Sequence, residues 1–119
     1  MTPTIFLLIW MLENLIDVKK ILTDKIKQDF RAIRRYTLAN FGHDQAVKYS
    51  REIQLKIEQL RLRPKIGVNR HEDLGRNIHS CFVGSHTVYY VFDDQEIIFL
   101  TILHQSRLPQ DRIPSPQTN

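Results

Sequence analysis

Residues 79–107, HSCFVGSHTVYYVFDDQEIIFLTILHQSR, decide the fold. They read as a β-meander whose two long strands are apolar on both faces. In Thr87–Phe92 one face carries Val88, Tyr90 and Phe92 and the other Tyr89 and Val91. In Ile97–Leu103, Ile98, Leu100 and Ile102 alternate with Ile97, Phe99 and Leu103, so neither period-2 face offers water a polar surface. Gly84-Ser85 and Asp93-Asp94 supply the turn chemistry between strands. Strands of this kind need cover on both sides, and a short chain with few elements points to a bound protein partner for part of it.

Upstream, Val18–Thr23 is partly β-branched and runs into Thr23-Asp24, a pair suited to capping a helix. Ile26, Phe30, Ile33 and Thr37 then recur at spacings of three and four, with Lys27, Arg31, Arg34 and Arg35 largely off that stripe. Gly42 is suited to the left-handed conformation that closes a helix, and Asp44 to capping the next. The second helix carries Ala46, Tyr49, Ile53, Ile57 and Leu60 on one stripe and ends at Pro64. Residues 64–77 read as a connecting loop. The order β-α-α-β-β-β predicts an α+β fold, an antiparallel sheet with a helical hairpin packed on one face.

Three stretches divide the chain: a hydrophobic N-terminal extension over 1–17, a single domain over 18–107, and a flexible Pro-rich tail over 108–119. The apolar run Ile5–Leu12 has no Lys or Arg before it and is shorter than the ~20 residues that span a bilayer. It reads as a segment packing on the fold or as an extension from an upstream start, with a weak membrane-interacting peptide as the third possibility. Cys81 is the single cysteine, so an internal disulfide is impossible and a disulfide-stapled secreted class is excluded. The expected compartment is the cytoplasm.

Seventeen Lys and Arg against thirteen Asp and Glu give a net charge of +4. Much of the basic charge lies between Lys48 and Arg70 and reads as the solvated side of a helix and its following loop. No phosphate-binding Gly-rich loop, nucleophile elbow or zinc motif is present, and no cofactor or metal is expected. The sharpest chemical option is a ribonuclease centre, in which cations steady the phosphate while a base and an acid move protons. Arg76, His79, Tyr89, His104 and Arg107 have the right residue types, and His79, His104 and Arg107 form the candidate catalytic set. The alternative places Tyr89 in the sheet, His104 at a strand end and the arginines in solvent.

Several segments, in order, resemble the ParE family of bacterial toxin-antitoxin toxins, within the RelE/ParE superfamily. They are Tyr36-Thr37 with Phe41-Gly42, Gln45-Ala46 with Tyr49, and Arg63-Pro64-Lys65-Ile66-Gly67. Glu72-Asp73-Leu74, Val83-Gly84-Ser85-His86, Tyr89-Tyr90 and Ile102-Leu103-His104 follow. The resemblance covers roughly residues 18 to 112. At 79–82 the chain reads His-Ser-Cys-Phe where the family commonly has Arg-Ser-Phe-Pro.

The resemblance implies a toxin neutralised by a ParD-like antitoxin in a hetero-oligomeric complex, one that acts by binding DNA gyrase and blocking replication, not by catalysis. A ribosome-dependent mRNA endonuclease and an inactive antitoxin-binding remnant are the alternatives. No Tyr follows Tyr90, which favours the gyrase-type reading over the nuclease. The expected antitoxin-binding residues are Phe30, Arg31, Arg35, Tyr49, Arg51, Ile53 and Tyr90, with the arginines meeting an acidic antitoxin tail. Arg76, His79 and Arg107 are the expected target-binding residues.

Overall fold

A computed structural model of the chain describes Ile5, Leu8, residues 18–110 and residues 112–114. The remainder of the hydrophobic extension and the last five residues of the Pro-rich tail lie outside the described residues. Strand β1 (Lys19–Leu22) leads into helices α1 (Asp24–Phe41) and α2 (His43–Leu62). A 3₁₀ turn (Pro64–Ile66), strand β2 (Val68–Asn69) and the short helix α3 (His71–Leu74) come next. The meander β3 (His79–Val83), β4 (His86–Phe92) and β5 (Glu96–His104) completes the fold.

The α+β architecture with a helical hairpin on a sheet is the one expected, with two additions. The sheet is mixed, in the order β1-β5-β4-β3-β2, because β1 runs parallel to β5. The hairpin thereby serves as part of the long connection that a parallel pair requires. The expected loop 64–77 also holds β2, which pairs with β3 through Val68↔Ser80 and Asn69↔His79. A two-residue strand has no alternation to read, and only its partner defines it.

Thr23 fixes the start of α1. Its hydroxyl accepts from the Ile26 amide at 3.1 Å and donates to the Leu100 carbonyl at 2.8 Å, tying helix to sheet. Gly42, at φ 89°, ends α1 and begins α2 in a single residue. Asp44 therefore falls inside the first turn of α2 and not at its cap, where its carboxylate still faces the positive end of the helix.

Both helical stripes pack where their period puts them. Ile26, Ile53, Ile57 and Leu60 meet Val88, Tyr90, Ile97, Phe99 and Ile102, with Phe30, Ile33 and Tyr49 at the margin. On the opposite face Tyr89, Leu100 and Leu103 join Ile78, Leu74 and Ile113 in a second core. Leu100 is fully buried there, so this face is covered within the chain and is not the surplus surface that its apolar pattern suggested. Ile113, in the stretch expected to be a tail, is part of that cover.

Candidate functional site

A groove of about 980 Å³ opens between α1, the start of α2 and the ends of β4 and β5. Ile33, Tyr36 and Phe41 form its apolar side, and His86, His104 and Arg107 its polar end. Its floor is set by a bulge in β5: Tyr89 pairs with Thr101 and Tyr90 with Phe99, leaving Leu100 without a partner. The Asp29 carboxylate on α1 meets the irregularity, accepting from the Thr101 hydroxyl and, at 3.0 Å, from the Ile102 amide. Lys25, one turn earlier, pairs with Asp29 and balances its charge.

At the polar end, the register of β4 and β5 sets His86 opposite His104, with ring centroids 5.3 Å apart and planes at 89°. The Tyr49 hydroxyl lies 3.0 Å from the Val83 carbonyl and 2.6 Å from His86 Nδ1. A carbonyl only accepts, so the single phenolic hydrogen goes to Val83 and His86 Nδ1 donates to the Tyr49 oxygen. That leaves the lone pair of His86 on Nε2. His104 has the opposite arrangement: the Ser106 amide donates to its Nδ1 at 3.1 Å, so the neutral ring carries its proton on Nε2. Burial holds the His86 pKa below the usual histidine value, the charge of His104 adds to this, and Asp29 partly opposes it.

The expected interface residues divide. Arg31, Arg35 and Arg51 are exposed, and Phe30 and Tyr49 are half-buried. Ile53 and Tyr90, at 2% and 0% exposure, are core residues with no surface to give a partner, a correction to their expected role. The Tyr90 hydroxyl donates to the Pro64 carbonyl at 2.6 Å, and burial pushes its pKa up to about 12.

The expected target-binding residues are not gathered in one place. Arg76 spends its guanidinium on the carbonyls of Ile113 and Pro114, each at 3.0 Å. The His79 ring is half-buried against Tyr90 and Phe92, with centroids 5.7 and 4.8 Å away, and burial lowers its pKa. Only Arg107 is exposed, on the groove rim. The nuclease set is likewise not assembled. His79 stands in line with Tyr90 and Phe99, five residues along β5 from His104, a separation of roughly 17 Å along the strand.

What the structure does bring together is Tyr49, His86, His104 and Arg107, of which His104 and Arg107 belong to the candidate catalytic set. The missed signal was the hydroxyl of Tyr49, which its helical stripe marked only as packing. Among the described residues no group of three or more His, Cys, Asp or Glu side chains is arranged to hold a metal ion. No helix among them is long and apolar enough to cross a membrane.

A family model described as the ParE toxin of the type II toxin-antitoxin system, parDE, matches residues 21–109. The chain is similar to Toxin ParE1 of Caulobacter vibrioides, 33% identical over 85 residues that make up 71% of this chain and 86% of that protein. In fold it is similar to a chain of the chromosomal ParDE TA system from P. aeruginosa. The TM-score is 0.64 at 18% identity, covering 74% of this chain and 96% of that one.

Proposed function

The chain belongs to the ParE toxin family of type II toxin-antitoxin systems, and on that premise we propose that it is a growth-arresting toxin silenced by a ParD-like antitoxin, with DNA gyrase as its target. It acts by occupying its target and not by turning over a substrate. The observation that carries the antitoxin part is the apolar surface around the closed end of the hairpin. Tyr36, Leu38, Phe41 and Val47 are 64%, 49%, 65% and 45% exposed within a dozen residues of chain. Tyr36 and Phe41 make an edge-on ring contact, with centroids 6.4 Å apart, and both line the groove.

Such a cluster on a soluble surface calls for a protein cover. Exposed Arg31 and Arg35 on the same helix suit a covering segment that carries acidic side chains. A helix or strand laid over this end of the hairpin would bury Tyr36 and Phe41 and close the groove above His104. The gyrase part rests on the family.

The test has two arms. Induction of the chain alone should arrest growth, and co-expression of a ParD-type antitoxin from the adjoining reading frame should restore it. Purified chain in excess should inhibit supercoiling by gyrase or trap cleaved DNA. Unimpaired growth would leave an antitoxin-binding remnant, and unimpaired supercoiling with growth arrest would move the target elsewhere.

A further inference from the structure

We propose that helix α2 pairs with the same helix of a second copy of this chain, antiparallel about a two-fold axis. The helix carries a second apolar stripe that its packing on the sheet does not use. Val47, Leu55 and Leu62 are 45%, 64% and 37% exposed, at spacings of eight and seven residues. Each spacing is close to two helical turns, so the three share one face. Leu55 stands two residues from both Ile53 and Ile57, on the far side of the helix from the buried stripe. Arg51 and Glu58 fall between the apolar residues on the same face, and none of the five lines the groove. A segment laid over the groove therefore leaves this surface bare.

The order of residues along the stripe points to its occupant. Read from Val47 it runs apolar, basic, apolar, acidic, apolar, through Arg51, Leu55 and Glu58 to Leu62. Read backwards it runs the same way with the two charges exchanged. A two-fold axis passing between Gln54 and Leu55 sets Val47 against the partner's Leu62, Arg51 against the partner's Glu58, and each Leu55 beside the other. Both charge pairs then form together, because symmetry makes each one twice. Arg51 is exposed and has no ion-pair partner among the described residues. Glu58 bonds Lys20 and Arg61 at 3.1 and 3.0 Å, yet its side chain is 45% exposed and keeps acceptor capacity for a further donor.

Other occupants answer only part of the stripe. A uniformly acidic segment gains at Arg51 what it loses at Glu58, and an apolar one leaves both charges covered and unpaired. The helix's own antiparallel copy answers all five positions. Phe82 of β3, 69% exposed, shares a shallow cleft with Leu55 and extends the apolar surface on that side. From Val47 to Leu62 the stripe runs roughly 22 Å, so the contact is small and the dimer belongs to the weak, concentration-dependent class. This goes beyond the toxin reading, since it needs neither the antitoxin nor gyrase.

Sedimentation velocity of the full chain, from micromolar to submillimolar concentration, should show a monomer–dimer equilibrium. Leu55→Asp places two carboxylates at the axis and should weaken the dimer at least tenfold, while the unfolding midpoint of dilute protein stays nearly in place because Leu55 is exposed. Arg51→Glu, which meets the partner's Glu58, should weaken it too, and Arg51→Lys should not. Cross-linking reads the register without relying on those variants. In a Cys81→Ser background, Leu55→Cys should oxidise to a disulfide-linked dimer. Val47→Cys alone should not, because the partner's Val47 lies at the opposite end of the stripe, but a mixture of Val47→Cys and Leu62→Cys chains should. A monomer at every concentration overturns the proposal, as does cross-linking of Val47→Cys as readily as Leu55→Cys. So does a chain that stays monomeric and whose antitoxin complex is weakened by Leu55→Asp, which would assign the stripe to the antitoxin.

Discussion

Tyr49 and His86, thirty-seven residues apart, are joined by a 2.6 Å contact between the phenolic oxygen and Nδ1. The same hydroxyl donates to the carbonyl of Val83, so one side chain of α2 holds both ends of the β3–β4 turn. Helix position, turn geometry and the protonation of the groove histidine are thus coupled through a single oxygen.

Removing that oxygen tests the coupling. Tyr49→Phe should cost about 1–2 kcal/mol, since it deletes one donated bond and leaves a half-buried imidazole nitrogen without its partner. Chemical denaturation measures the loss. In ¹⁵N spectra the His86 ring should shift away from the Nδ1-protonated tautomer. An unchanged tautomer would mean that the turn alone fixes the ring.

The turn itself depends on a missing side chain. Gly84 sits at φ 57°, and a Cβ built there would lie 2.5 Å from Cε1 of the Tyr49 ring and 2.7 Å from its hydroxyl. Gly84→Ala therefore combines left-handed strain with a clash and should destabilise by about 2 kcal/mol or more. Gly75, at φ 67° with nothing within 4 Å, makes the control. Gly75→Asn should cost well under half as much, because Asn adopts that conformation readily. Similar losses for the two variants would show that backbone strain, and not the contact with Tyr49, dominates.

Much of this was legible because it is periodic. The stripes Ile26-Phe30-Ile33-Thr37 and Ala46-Tyr49-Ile53-Ile57-Leu60 repeat with the helix, and the structure buries or half-buries all nine residues. The meander was legible as buried on both faces. What covers its second face was not, because Leu74, Ile78 and Ile113 are isolated apolar residues in a charged loop and a Pro-rich end. Strand direction at the β1 edge leaves no mark in a four-residue strand. The site was harder still, because it is made of the ends of elements: the hydroxyl of a packing tyrosine, an aspartate cap on a bulge, and two histidines paired by register. That same burial moved Ile53 and Tyr90 from the expected interface to the core.

Those two residues should therefore act on folding and not on the antitoxin. Ile53→Ala should lower stability by about 2–5 kcal/mol, with antitoxin affinity reduced only as far as the folded fraction falls. Reversing the charge of the exposed Arg31, Arg35 and Arg51 together should do the opposite, weakening the complex at little cost to the transition. Calorimetric titration with the antitoxin separates the two effects. Undiminished affinity after all three reversals would remove electrostatics from the interface.

The histidines set a direction for pH. His79 and His86 both have pKa values held below the ordinary 6.5 by burial, so the unfolded chain binds protons more readily than the native one as pH falls through that value. Their contribution is intact above 6.5 and is lost progressively as pH drops toward the folded-state values. Thermal melts from about pH 7.5 to about pH 5.5 should show a falling midpoint, and the double variant His79→Gln, His86→Asn should flatten that slope. A midpoint that rises on acidification would reverse the sign and rule out buried neutral imidazoles as the cause.

The chain end is held by one cation. Arg76, just past α3, donates to the carbonyls of both Ile113 and Pro114, and Ile113 is 8% exposed within the second core. A charged donor bonded to two carbonyls is worth more than a neutral one, and losing it also frees the Ile113 side chain from its place beside Leu100 and Leu103. Arg76→Gln should cost about 1.5–3 kcal/mol. Hydrogen exchange offers a sharper reading than the midpoint, since amides at 112 and 113 should exchange faster while those of β4 keep their protection until global unfolding. Ile113→Ala should give the same local acceleration with Arg76 intact, because apolar cover and hydrogen bonds hold the segment together. If Arg76→Gln slackens β4 and the end of the chain equally, the clamp is part of the global core and not a local fastening of residues 112–114.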